Sequence, residues 1–184
     1  PLTYTIDSGD RLASVDAAFR RFALENGWPE GAGTSILGRP VWSFVADAET
    51  RLLWGALLAR CRSGHPVRVT IRCDAPAERR LLELRLESSP GGDVTIRSTT
   101  LAASPRVAQH VWSAAPAAGL PPVLACGWCK RLRAPGGRWL EVEEAAEELG
   151  LLRAPAPPLL SHGICPDCDR DVREKAGLAG AEPG

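Results

Sequence analysis

Six cysteines are the residues of this chain whose types and spacing point most directly to chemistry. Four of them form two C-x-x-C pairs, Cys126-Gly-Trp-Cys129 and Cys165-Pro-Asp-Cys168. Each pair can supply two thiolates from one tight turn, and four thiolates satisfy the tetrahedral geometry of Zn²⁺. The sequence opens without a signal-peptide pattern, so thiols at this spacing favour metal binding over disulfides. We therefore expect one zinc ion bound by Cys126, Cys129, Cys165 and Cys168.

His162 is a further candidate ligand, because it lies three residues before Cys165. Its imidazole could replace one thiolate at the metal, or it could donate a hydrogen bond to a thiolate from outside the site. The matched spacing of the two cysteine pairs favours the site with four cysteines. A redox dithiol that holds no metal is the other interpretation of the same residues.

Cys61 and Cys73 are the two cysteines outside the pairs. Cys61 falls at the end of an apolar helical pattern and Cys73 at the end of a strand pattern, so both are expected to be buried free thiols. A ligand or redox role for Cys73 stays open, since Arg72 and the pair Arg79-Arg80 could favour its thiolate form.

A stretch rich in proline and alanine, SAAPAAGLPP, separates the paired cysteines from the rest of the chain. Such a composition is typical of a linker and offers little that could fill a core. We therefore divide the chain into a first domain over residues 1–112, a linker over 113–122, a zinc-binding module over 123–173 and a disordered tail over 174–184, and we expect separate cores.

The patterning of the first domain predicts two strands, then helices, then three more strands. Alternation and turn signals place the strands over residues 2–7, 11–15, 67–73, 80–87 and 92–101. Helical spacing predicts helices over residues 17–25, with Asp16 as the N-cap, and from residue 48 to a stop at Gly64. Further helices are predicted over residues 106–112 and 138–149. The compact solution is an α+β fold, with a five-stranded antiparallel sheet covered by helices on one face and a small C-terminal zinc-knuckle module.

This order of elements resembles that of PAS domains, which are sensory and interaction modules. The segments that carry the resemblance are IDSGDRLASVDAAF, ILGRPVWSFV and RCDAPAERRLLELRL, and it covers about residues 2–103. The C-terminal combination CGWCKRLR, GRW and SHGICPDC resembles a module that follows PAS or receiver domains in bacterial signalling proteins. That second resemblance covers about residues 124–172 and implies a metal site without catalytic activity.

The resemblance also implies that a ligand could lie between the sheet and the helices. Haem would need an axial histidine, and the candidates, His65 and His110, do not lie on a clear apolar helix face. Flavin photosensors of this class carry an Asn-Cys-Arg motif, and the comparable stretch at residues 47–51 has no cysteine. The sequence therefore leaves the cofactor of this domain open.

Composition and motifs argue for binding rather than catalysis. The 22 basic residues balance the 22 acidic ones, and the chain has neither a phosphate-binding loop nor a nucleophile elbow. We therefore predict a non-enzymatic, cytoplasmic bacterial sensor or adaptor with a structural zinc site. The alternatives are a thiol redox protein and a nucleic-acid-binding zinc protein that uses a basic patch of Lys130, Arg131, Arg133 and Arg138.

No apolar run in the sequence is long enough to span a membrane. The expected partner is another protein chain or a small-molecule signal. A homodimer formed by the PAS-like domain is predicted, with Val107, Val111 and Trp112 as an apolar stripe at the interface.

Overall fold

The structure is a computed structural model that describes residues 1–75, 77–107, 122–151 and 158–178. It begins with an antiparallel hairpin of β1 (Leu2–Ile6) and β2 (Leu12–Val15), as the sequence predicts. Helix α1 (Ala17–Glu25) starts where expected, because the Asp16 carboxylate accepts a hydrogen bond from the backbone N–H of Phe19 at 2.7 Å. A one-turn helix, α2 (Pro29–Ala32), follows.

The long helix α3 (Ala48–Arg62) supplies the main apolar surface that covers the sheet. Its N-cap is Asp47, whose carboxylate accepts from the Thr50 N–H at 2.7 Å. A 3₁₀ turn at Val41–Phe44 precedes the helix. The helix buries one stripe of side chains at helical spacing, namely Leu53, Leu57, Leu58 and Cys61.

Three further strands complete a five-stranded antiparallel sheet: β3 (Val67–Arg72), β4 (Glu78–Ser88) and β5 (Val94–Pro105). The strand order is β2-β1-β5-β4-β3, so the first and last strands of the chain segment, β1 and β5, are neighbours. The α+β class and the five-stranded antiparallel sheet are confirmed.

One face of this sheet is apolar and the other is charged. Val67, Leu86, Ile96 and Tyr4 are register neighbours across four strands and form a row on the face that the helices cover. On the opposite face, Glu83 forms one ion pair with Arg68 and another with Arg85. This difference follows from strand geometry, because successive side chains point to opposite faces.

The C-terminal part forms a four-stranded sheet and two helices. In chain order the elements are β6 (Val123–Cys126), β7 (Leu132–Arg133), β8 (Trp139–Leu140), α4 (Val142–Glu148), β9 (Leu160–Gly163) and α5 (Pro166–Lys175). The strand order is β8-β7-β6-β9, in which β6 and β9 are parallel.

The helix predicted over residues 138–149 is shorter than expected. Trp139 and Leu140 pair with Arg133 and Leu132 as strand β8, so the helix begins only at Val142. The local apolar spacing fits either state, and the hydrogen bonds to β7 decide for the strand. At the other end, α5 extends to Lys175, and Ala176 is buried, so ordered structure continues past the predicted start of the tail at residue 174.

The expectation of two separate cores is wrong. One cluster of buried residues contains Leu57 and Ile96 from the first part and Cys126, Trp128 and Val172 from the second. A second, smaller cluster lies within the C-terminal part. The cysteine-bearing part therefore packs as a continuation of the first core, beyond the edge strand β3.

Hydrogen bonds and ion pairs reinforce this junction. Arg72, at the end of β3, forms ion pairs with Asp74 and with Glu141, the latter at 2.6 Å. Arg79 pairs with Glu143 at 2.8 Å, and Arg106 pairs with Asp74 at 3.1 Å. The Asp74 side chain is only 2% exposed, and its charge is balanced by Arg72 and Arg106.

Several predictions fall on residues 108–121, which lie outside the described residues. These predictions concern most of the linker over 113–122. They also concern His110, Val111 and Trp112 of the predicted helix over 106–112. Arg106 and Val107 are described, and neither is helical. Among the described residues, each helix is too short or too polar to cross a bilayer.

Candidate metal centre

The first cysteine pair lies at the end of β6, where the chain turns sharply towards β7. The N–H of Lys130 donates to the carbonyl of Cys126 at 3.0 Å, which closes the turn. Lys130 adopts a left-handed conformation, with φ of 66°. Gly127 is needed for close approach, because a Cβ there would lie 3.2 Å from Oγ1 of Thr50 on α3. The turn therefore places both sulfurs on one side of the chain.

The second pair lies at the start of α5. Cys165 is the N-cap and Pro166 the first helical residue, a position where the missing N–H of proline costs no helical hydrogen bond. Cys168 follows three residues after Cys165, and residues at this spacing share one face of a helix. Helix geometry therefore brings the two thiols of this pair together.

The parallel pairing of β6 with β9 brings the two pairs to the same place. Cys126 is the register neighbour of Gly163, and the N–H of Gly127 donates to the carbonyl of Gly163 at 2.8 Å. Both strands thus end at the same edge, and each is followed by a cysteine turn. This long-range pairing, between residues almost forty positions apart, is what assembles the site.

The four thiols form one cluster, as the sequence predicts. Their sulfur atoms all lie within 4.8 Å of one another, and Sγ of Cys129 is 3.8 Å from Sγ of Cys165. Four sulfurs bound to a tetrahedral zinc ion at about 2.3 Å would stand about 3.8 Å apart. Cys126 and Cys165 are fully buried, whereas Cys129 and Cys168 are half-buried. Four cysteines this close together could bind a metal ion.

Hydrogen bonds favour the thiolate at Cys126. Its sulfur accepts from the thiols of Cys129 and Cys168 and from the backbone N–H groups of Cys129 and Cys165, and these bonds lower its pKa. Cys129 and Cys168 donate their thiol protons to Cys126, so these two thiols are harder to ionise. The pKa of Cys129 is raised to about 12, and that of Cys168 is also raised. A metal cation would take the place of the shared protons, because thiolates are its ligands.

His162 is not part of the cluster of ligand atoms in the described structure. It lies on β9 as the register neighbour of Ala125, and its side chain remains partly exposed. Burial of the ring, and then the charge of Lys130, lower the pKa of His162. It lines a cleft of about 540 Å³ together with Cys73, Asp74 and Lys130.

The two unpaired cysteines stay apart from the metal cluster. Cys61 is fully buried within the core, and burial raises the pKa of its thiol, as expected for an inert buried cysteine. Cys73 is only half-buried. Its carbonyl accepts a hydrogen bond from Nε of Arg80 at 2.7 Å.

The basic patch near the first cysteine turn is mostly paired. Arg131 contacts Glu141 at 3.3 Å, and Arg138 contacts Glu148 at 2.6 Å. Nζ of Lys130 donates to the carbonyl of Gly127 at 2.6 Å, and burial lowers its pKa. Arg133, the fourth residue of the patch, is exposed on β7.

An apolar cavity lies between the sheet and the helices, where the resemblance implied a ligand, but the sequence analysis named none of the residues that line it. Its volume is about 230 Å³, and aromatic side chains form much of its lining. In the sequence, the signal for this cavity is the concentration of aromatic residues between positions 19 and 54. His65 is absent from this lining, lies on an exposed turn and contacts Oγ of Ser63 at 3.2 Å, so it is not placed to ligate haem there.

Comparisons with known proteins give no family for this chain. No protein-family model matches the chain. Searches of curated proteins and of solved structures also found no match.

Proposed function

We propose that this protein is a PAS-like sensor or adaptor that acts by binding, and that its cysteine cluster holds a structural zinc ion. The observation that carries the proposal is the position of the cluster. Cys126 and Cys165 belong to the same buried core as the sheet and α3. A metal there would fix the C-terminal part against the domain that contains the cavity.

Zinc is the metal that this donor set favours. Four thiolates are soft ligands, and the spacing of the sulfurs fits a closed tetrahedral site. A closed site has no free position for substrate, so the metal would stabilise the fold rather than catalyse. Nearby cations, Lys130 and Arg131, would offset the net negative charge of a zinc ion with four thiolates.

The PAS-like part of the proposal rests on the order of elements and on the cavity. Two strands, then helices, then three antiparallel strands is the order on which the resemblance depends. The helices lie on one face of the sheet and enclose an apolar cavity with it. Such a cavity is the default position for a small-molecule signal.

Elemental analysis and native mass spectrometry of the purified full chain test the proposal together. We expect one zinc ion per chain and thiols at the four cluster positions that react slowly with alkylating reagents. A metal-free chain with rapidly reacting thiols would instead support the redox alternative. Tight, strongly salt-dependent binding to DNA would support the nucleic-acid alternative.

A further inference from the structure

The cavity between the sheet and the helices has a well-defined wall. Tyr4 and Ile96 of the sheet form part of its floor, and Trp54 and Leu58 of α3 form part of one side. Trp28 and Phe44 also line it and are 37% and 38% exposed, so they lie where the cavity meets solvent.

Four of the lining aromatic rings form a continuous series of edge-to-face contacts. The ring centroids are 5.6 Å apart for Tyr4 and Phe19, 6.2 Å for Phe19 and Trp28, and 5.8 Å for Trp28 and Phe44. Such pairs hold one another in preferred orientations. The series therefore runs from the floor of the cavity to its opening and gives the cavity a persistent shape.

Within the part of the chain that the structure describes, no charged side chain lines the cavity. A carboxylate, phosphate or ammonium group that entered it would lose its hydration without gaining an opposite charge. The hydrogen-bonding groups of the lining are the hydroxyl of Tyr4 and the indole N–H groups of three tryptophans. One of these is already engaged, because Nε1 of Trp42 donates to Asp10 at 3.1 Å.

The volume sets the size of an occupant. An apolar cavity of about 150 Å³ accommodates benzene. A cavity of about 230 Å³ therefore has room for one or two fused rings. Haem and flavins belong with the larger pockets of roughly 300–1,000 Å³.

We infer that this cavity binds a small, uncharged aromatic molecule of one or two fused rings, and that Trp28 and Phe44 form its entrance. This inference rests on the proposed function and names the class of ligand for that sensor. The occupant would stack against the ring faces and edges and could offer one oxygen to an indole N–H.

Calorimetric titration of the zinc-loaded full chain tests the ligand class. The probes are naphthalene and indole, with 2-naphthoate as the charged analogue and riboflavin as the large one. We expect saturable binding of one neutral probe per chain and at least tenfold weaker binding of the other two. Binding of 2-naphthoate or riboflavin as tight as that of naphthalene, or no saturable binding of either neutral probe, would overturn the inference.

Two neighbouring glycines provide a matched test of the entrance. A Cβ at Gly31 would lie 2.2 Å from the Trp28 ring, so Gly31→Ala must displace that ring. At Gly33 a Cβ meets nothing closer than 3.4 Å, so Gly33→Ala is the control. We expect Gly31→Ala to change the affinity for naphthalene at least fivefold and Gly33→Ala to leave it unchanged. Equal affinities in both variants and the natural chain would show that Trp28 is not the entrance.

Two further outcomes separate this inference from the proposed function. A chain that holds one zinc ion but binds no neutral probe would refute the ligand class and still fit an adaptor. A chain without metal would refute the proposed zinc site whatever the cavity binds.

Discussion

The indole rings of Trp54 and Trp128 pack against each other, with centroids 5.6 Å apart. Trp128 lies between the two cysteines of the first turn, whereas Trp54 lies on α3 and lines the cavity. Nε1 of Trp128 donates to the carbonyl of Thr70 on β3 at 2.6 Å, and the N–H of Arg72 donates to the carbonyl of Trp128 at 2.9 Å. These hydrogen bonds hold the cysteine turn against the edge strand β3, and the ring contact packs it against one wall of the cavity.

Removing a ligand thiol should destabilise the whole chain. We expect Cys129→Ser to lose the metal and to lower the melting temperature by about 6–12 °C, as a loss of about 3 kcal/mol would for a chain of this size. Because the core is shared, the tryptophan fluorescence and the circular dichroism of the sheet should change in one transition. Cys73→Ser, at a half-buried cysteine outside the cluster, is the control and should retain metal and stability. A sheet that stays folded after the metal is lost would argue for independent domains.

Trp128→Phe tests the contact between the cysteine turn and the sheet. The variant loses the hydrogen bond to Thr70 and part of the buried ring, so the free energy of unfolding should fall by about 2–4 kcal/mol. Denaturant unfolding measures this value, and the variant should still bind one metal ion. Trp28→Phe, at a ring that is 37% exposed, should cost less than half as much. Similar losses in both variants would contradict a special role for Trp128.

Acid should weaken the junction through Glu141. Burial disfavours the charged form of its carboxyl, but Arg72, Arg131 and Arg79 together outweigh burial and hold the pKa of Glu141 below its ordinary value. The contribution to stability is therefore present above the ordinary pKa of about 4.3 and is lost as the pH falls through the lower pKa of the folded state. We expect Glu141→Gln to be less stable than the natural chain at pH 7 and the difference to shrink below pH 4. A difference that stays constant with pH would contradict this assignment.

A homodimer formed by the first part of the chain, residues 1–112, remains a prediction. Among the described strands, β1 pairs with residues 94–98 of β5, so the residues beyond Ser98 pair with β4 alone. Leu101 in this segment is 51% exposed. Analytical ultracentrifugation at micromolar concentration should detect a dimer, and Leu101→Glu should weaken it. Leu24→Glu, at a leucine of α1 that is 60% exposed, is the matched control. A natural chain that sediments as a monomer would show the prediction to be wrong.

The sequence by itself determined the local elements and which four cysteines form a cluster. Asp16 and Asp47 mark the starts of helices because a short carboxylate satisfies the free N–H groups of a first turn. Alternation predicted all five strands of the first sheet, since one face of an antiparallel sheet must be apolar. The C-x-x-C spacing identified the four cysteines, because a tight turn can present two thiolates together only at such short separations.

Only the tertiary structure decided what depends on residues far apart in the chain. The strand state of Trp139 and Leu140 follows from hydrogen bonds to β7, and apolar spacing alone does not distinguish it from a helix. The shared core follows from the packing of Trp128 on Trp54, more than seventy residues away, which no local pattern encodes. The cavity likewise exists only where the sheet, α1, α3 and the segment between these two helices meet. Its neutral, aromatic lining, and therefore the class of ligand it can hold, is a property of that assembly rather than of any one segment.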